Sequence, residues 1–172
     1  PLRESNNFRM FPKDVEERIT SKTKMIVINS PSNPTGSVTT KEEIDEIYDI
    51  AKKYDLYLLS DEVYARMIYE EDYSFYSPSI RDKCNERVIV LNGFSKAFAM
   101  TGWRLGCVIG PKFVIEKIAL LLETTSSCVS PFIQRAGIEA IKGSQDEVKK
   151  MVSQYKKRRD LLVKGLNELS GV

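Results

Sequence analysis

Arg87-Val88-Ile89-Val90-Leu91-Asn92-Gly93-Phe94-Ser95-Lys96 holds a short, unbroken apolar run closed by a glycine. Runs of this length with no polar alternation read as strands buried on both faces, the pattern of a parallel sheet. Three similar stretches flank it. Met25-Ile26-Val27-Ile28-Asn29 ends in Ser30-Pro31-Ser32-Asn33-Pro34-Thr35-Gly36, whose two prolines and glycine dictate a loop. Leu56-Tyr57-Leu58-Leu59 ends at Ser60-Asp61-Glu62-Val63-Tyr64, and Leu105-Gly106-Cys107-Val108-Ile109 reads as a fourth strand.

Helical patterns alternate with these runs. Thr40 and Glu43 have the spacing of a capping box, and Ile44, Ile47, Tyr48 and Ala51 recur at helical period to about Tyr54. The alternation predicts an α/β fold: a mostly parallel sheet covered by helices on both faces. Ala65 to Glu86, rich in tyrosine, proline and charge, reads as an irregular surface excursion. Beyond Pro111, Phe113, Ile115, Ile118, Leu121 and Leu122 mark one helix, and Pro131 to Lys142 another. Ser144 and Glu147 repeat the capping-box spacing. Val148, Met151, Val152, Tyr155, Leu162, Leu166 and Leu169 then trace one stripe along a long helix. The organisation expected is a sheet-bearing unit over 1–143 and a helix over 144–172 that leads toward another domain.

Composition narrows the chemistry. The chain of 172 residues has 26 basic and 24 acidic side chains, and its net charge of +2 comes with no basic stripe interleaved with aromatics. A nucleic-acid partner is not indicated. Lys156-Lys157-Arg158-Arg159 falls within a helical pattern and reads as a solvated face. No apolar stretch approaches a membrane span, and no signal sequence opens the chain, so a cytoplasmic protein is expected. Cys84, Cys107 and Cys128 lack paired metal spacing and read as reduced thiols. With no histidine, proton transfer falls to lysine, tyrosine or carboxylates. The start at Pro1, without methionine, points to a piece of a longer polypeptide.

Asn33, Asp61 with Tyr64, and Lys96 each follow the C-terminal end of a different apolar run, where open α/β sheets gather ligand-binding residues. A lysine amine can hold an aldehyde as an imine, provided desolvation or nearby positive charge favours its neutral form. Arg104 suits a phosphate, with Ser95 or backbone N–H groups near Gly93 adding donors. A carboxylate such as Asp61 can keep a pyridine nitrogen protonated, and the Tyr64 hydroxyl and Asn33 amide can hydrogen-bond a phenolate oxygen. Together these needs match pyridoxal 5'-phosphate. Trp103 reads as a core residue or as packing beside Arg104, Cys107 as a core thiol, and Thr124-Thr125-Ser126-Ser127 as a polar loop.

Asn33-Pro34-Thr35-Gly36, Ser60-Asp61-Glu62-Val63-Tyr64 and Gly93 through Ser95-Lys96 to Gly102-Trp103-Arg104-Leu105-Gly106 closely resemble the motifs of class I/II aminotransferases. These are fold type I pyridoxal-phosphate enzymes related to aspartate aminotransferase. The resemblance implies that Lys96 forms the cofactor imine and is the catalytic base, that Asp61 binds the ring nitrogen, that Asn33 and Tyr64 bind the phenolate oxygen, and that Arg104 binds the phosphate. Ser95 stands at a signature position, whereas the place three before the lysine, where the family carries a phosphate-binding serine, is Gly93. It also implies that 1–143 is the second half of the cofactor-binding domain, and that the whole protein is a homodimer acting on an amino acid and a 2-oxo acid. The isolated chain is expected to bind the cofactor weakly and turn over little. Other expectations are a different reaction on the same scaffold, such as β-elimination or racemisation, or the ligand-sensing domain of a transcription regulator.

Overall fold

A computed structural model describes residues 2–70 and 73–171; Glu71 and Asp72, within the expected excursion, and the two terminal residues lie outside it. Three strands run parallel in the order β1 (Met25–Asn29), β2 (Tyr57–Asp61) and β3 (Val88–Gly93). A fourth, β4 (Gly106–Ile109), returns antiparallel beside β3. Orientation follows from the connections. A parallel pair needs a long crossover, whereas the shorter connection from β3 to β4 lets the chain fold straight back.

The crossover between β1 and β2 is the helix α2 (Lys41–Lys53), which begins where the sequence predicts. Thr40 accepts from the Glu43 N–H, and the Glu43 carboxylate accepts from the Thr40 N–H at 2.8 Å, so the capping box closes. Its Ile47, Tyr48, Ile50 and Ala51 pack on Ile26, Ile28, Leu58, Val88 and Val90, the inward set of three neighbouring strands. Ile28, Ile47, Leu58 and Val88 are all but fully buried. Each such side chain contributes about 1.5–3 kcal/mol by leaving water. Glu43 is also buried, paired with Arg9 at 2.8 Å.

Coverage of the other sheet face is incomplete. Helix α4 (Lys112–Thr125) starts against it, with the Phe113 and Tyr57 rings 6.3 Å apart, but Val27 stays 55% exposed. The stripe of α4 departs from expectation: Phe113, despite its contact with Tyr57, and Leu121 and Leu122 are all exposed. Helix α5 (Pro131–Lys142) buries only Gly137, where an added β-carbon would collide with Leu105. The long helix α6 (Asp146–Asn167) buries none of its residues. Its expected capping box does not form. The Ser144 hydroxyl bonds the Asp146 carboxylate at 2.8 Å and accepts from the Asp146 N–H, which leaves Gln145 as the N-cap.

Two helices complete the order: α1 (Pro12–Glu16) before the sheet and α3 (Ser79–Asp82) inside the excursion. The excursion is irregular, as expected, yet tied down. Arg81 bridges Asp45 at 3.1 Å and Asp49 at 2.6 Å on α2, and the Asp82 carboxylate accepts from the N–H groups of Arg87 and Val88.

Candidate active site

Strand register brings the candidate loops to one end of the sheet. Asn29 lies opposite Asp61, and Asp61 opposite Leu91, so β1 and β2 end level and β3 runs two residues further, to Gly93. Each loop leaves from that end in a defined shape.

In the first loop, the Asn29 side-chain oxygen accepts from the Asn33 N–H at 3.0 Å. Ser32 N–H reaches the Ser37 carbonyl at 2.9 Å, and Gly36 N–H the Ser32 carbonyl at 2.8 Å; Gly36 takes φ +73°, a value that favours glycine. Beneath, the buried Ser30 hydroxyl accepts from the Thr39 N–H. The result is an exposed Asn33 on a braced loop.

The second loop is a tight turn. Glu62 N–H donates to the Leu91 carbonyl at 2.8 Å, Val63 N–H to the Asp61 carboxylate at 3.2 Å, and Ala65 N–H to the Glu62 carbonyl at 2.9 Å. Tyr64 stands on this turn, and the Asn33 amide donates to its hydroxyl at 3.2 Å. Two loops separated by a whole helix thus meet through one hydrogen bond.

The third loop joins β3 to β4. Gly93 pairs with Gly106, and Phe94 N–H continues the ladder to the Leu105 carbonyl at 3.2 Å. A β-carbon on Gly93 would sit 3.3 Å from Val63 Cγ2, so this loop rests on the Tyr64 turn. From it, Lys96 Nζ lies 5.7 Å from the centre of the Tyr64 ring, within reach of a cation–π contact. Ser95 and Arg104 follow and precede the Phe94–Leu105 pair, at the two feet of the hairpin. Arg104 has φ +50° and donates to the Thr101 carbonyl at 3.0 Å.

The structure therefore joins Asn33, Tyr64 and Lys96 directly, and sets Asp61 at the root of the Tyr64 turn. Arg104 shares the hairpin with Lys96 but makes no hydrogen bond to the other candidates. Among the described residues, Asp61, Lys96 and Arg104 have no salt-bridge partner. A cavity of about 580 Å³ flanks the Asn33–Tyr64 pair, walled by Met67, Tyr69, Tyr73 and Arg159. Lys96 is not in its lining. Arg159, on α6, reaches Glu70 at 2.6 Å and lies over the Tyr69 ring.

Two packing expectations are corrected. Trp103, in the short 3-10 turn Thr101–Trp103, is 42% exposed and so not a core residue, with the Phe132 ring edge-on at 6.5 Å. Cys107 is exposed, since β4 is an edge strand with little against it. Thr124 and Thr125 lie on the last turn of α4 rather than in a loop, both hydroxyls donating to the Leu121 carbonyl. Glu62 is assigned no role in the sequence analysis, yet the structure buries it. Strand alternation would have found it: Ser60 is buried, Asp61 half-buried, and Glu62 buried again.

Across residues 1–172, the chain matches the family described as aminotransferase class I and II. It is 44% identical over 171 residues to an aspartate aminotransferase of Pyrococcus abyssi, covering 98% of this chain and 44% of that protein. To aromatic-amino-acid aminotransferase 2 of Thermococcus litoralis it is 43% identical, with 98% and 44% covered. The solved aromatic aminotransferase of Pyrococcus horikoshii superposes with a TM-score of 0.92 at 39% identity, covering 99% of this chain and 46% of that one. The Thermus thermophilus aspartate aminotransferase with maleate gives 0.87 at 37% identity, with 96% and 43% covered. The chain spans less than half the length of these relatives.

Proposed function

Because this chain belongs to the class I and II aminotransferases, we propose that the whole protein moves an amino group between an amino acid and a 2-oxo acid with pyridoxal 5'-phosphate. The observation that carries the reading is the Asn33–Tyr64–Lys96 cluster at one end of the sheet, with Asp61 at its root. The donor set fits this cofactor group by group. Lys96 offers an amine for the aldehyde, Asp61 a carboxylate for the ring nitrogen, and Tyr64 and Asn33 donors for the ring oxygen. Arg104, one donor held by Thr101, keeps others for the phosphate, and Ser95 stands at the opposite foot of the same hairpin.

When bound, pyridoxal phosphate supplies the aldehyde and an electron-withdrawing ring that stabilises negative charge at the substrate α-carbon. The residues do the rest. Asp61 holds a proton on the ring nitrogen. Tyr64, its hydroxyl accepting from Asn33, keeps its own proton to donate. Lys96 takes the α-proton and later returns one, acting as base and then acid without any histidine.

Three wider features belong to the same proposal. Residues 1–143 form the second half of a cofactor-binding domain, and 144–172 lead toward a further one. The whole protein works as a homodimer in the cytoplasm. No helix among the described residues is long and apolar enough to cross a membrane. The test is product analysis on the full-length protein: an amino acid alone should yield its oxo acid and pyridoxamine phosphate. Release of ammonia instead points to elimination, and failure to take up the cofactor overturns the proposal.

A further inference from the structure

Glu62 is a carboxylic acid at 6% exposure that the proposed chemistry does not use. It is held from several sides. Its N–H donates to Leu91 and its carbonyl accepts from Ala65, so its backbone forms the corner of the turn carrying Tyr64. Ser77, just before α3 in the excursion, donates to its Oε1 at 2.6 Å. Ser60, two residues before it on β2, is buried as well. Ser77 in turn pairs with the Ser79 hydroxyl at 2.8 Å and accepts from the Ser79 N–H at the start of α3. One buried group therefore ties the turn after β2 to the segment that leads into α3. Next along the turn, Val63 supports Gly93, from which the Lys96 loop departs.

Burial is costly for a charge, and it pushes the Glu62 carboxyl above its ordinary range; the hydroxyls of Ser77 and Ser60 oppose this, and the Asp61 charge adds to it. A shape-matched neutral amide should therefore serve in its place. A methyl group should not.

We propose that Glu62 is a positioning residue: by clamping Ser77 against the β2 terminus it fixes the turn that aims Asp61 and Tyr64 and supports the Lys96 loop. The inference rests on the cofactor reading above and adds to it a residue that touches neither cofactor nor substrate.

The test uses the full-length protein, unsubstituted and as E62Q, E62A and S77A. Two readouts are taken: pyridoxal phosphate affinity by fluorescence titration, and the pH midpoint of the bound cofactor's visible absorbance band. Loss of one buried hydrogen bond corresponds to roughly a tenfold change in an equilibrium. E62A and S77A should each weaken cofactor affinity by roughly that factor and move the band midpoint. E62Q, which still accepts from Ser77, should restore both. A purely structural loss would lower the folded fraction without moving the midpoint of the protein that remains folded. If E62A fails to fold, the comparison of S77A with E62Q decides. Unsubstituted protein that takes up the cofactor, beside an S77A variant with unchanged affinity and midpoint, overturns this inference alone. Unsubstituted protein that takes up none overturns the proposed function and the inference with it.

Discussion

Replacing Tyr64 with Phe removes one oxygen and leaves the ring over which Lys96 lies. The hydroxyl accepts from the Asn33 amide at 3.2 Å, so its own hydrogen is available to a second acceptor, and the Asn33 bond polarises it toward donating. In the proposed site that acceptor is the ring oxygen of pyridoxal phosphate, which is most negative when the cofactor linkage to Lys96 has lost its proton. A donor to that oxygen favours the deprotonated form and lowers the midpoint of the visible band. Hydrogen bonds to charged groups contribute about 1.5–3 kcal/mol, and one pH unit corresponds to about 1.36 kcal/mol. Tyr64→Phe should thus raise the midpoint by about 1–2 pH units. The assay is a spectrophotometric pH titration of the full-length protein with bound cofactor. The band itself should persist, since Lys96 is intact. A midpoint that does not move, or moves down, would refute the assignment of Tyr64 and the geometry from which it was drawn.

Lys96→Ala in the full-length protein should abolish the visible band and turnover, whereas retained turnover would remove Lys96 from its role. Asp61→Asn should leave cofactor uptake detectable but slow turnover by about 10²–10³, the effect of losing a preorganised electrostatic partner, as single-turnover rates can establish. Leu58→Ala, at a fully buried position beneath α2, should cost about 2–5 kcal/mol in urea unfolding. Glu62→Gln should alter how stability depends on pH. The Glu62 carboxyl has a folded-state pKa above its unfolded value of about 4.3, so the folded state binds the extra proton and stability falls as pH rises from there through the folded pKa. The variant should lack that decline, so its gain over the unsubstituted protein grows across this window; equal pH slopes would contradict the burial argument.

What was legible in the sequence was what local chemistry decides. Four apolar runs became strands within a residue or two, and Thr40 with Glu43 closed the expected capping box. The same spacing at Ser144 and Glu147 did not, because Ser144 found Asp146 two residues away; spacing allows a cap but does not choose between competing acceptors. Burial was harder to read. Trp103 and Cys107 look apolar in sequence, yet a short 3-10 turn and an edge strand leave them in water. Glu43 and Glu62 look like surface acids, yet Arg9 on one side and Ser77 on the other take them inside. Such partners lie well away in sequence, and no periodicity announces them.

The site obeys the same division. Which residue types could serve was written in the loops, but their meeting depends on register, which no single loop contains. A slip of one position in the pairing of β1 with β2 would carry Asn33 along the sheet and turn alternate side chains to the other face. Register is held by the alternation of Ile26, Ile28 and Leu58 toward α2, so the apolar core sets the distance between the Asn33 amide and the Tyr64 hydroxyl. Lys96 depends on a different constraint. Its loop is an antiparallel return, closed at Gly93 and Gly106, where a β-carbon on Gly106 would lie 3.2 Å from the Asn92 carbonyl oxygen. A bulkier residue there would open the hairpin foot and shift Lys96 and Arg104 together, while leaving the Asn33–Tyr64 bond in place. The two halves of the site are thus separable by mutation: one answers to the core beneath α2, the other to a glycine pair at the sheet edge.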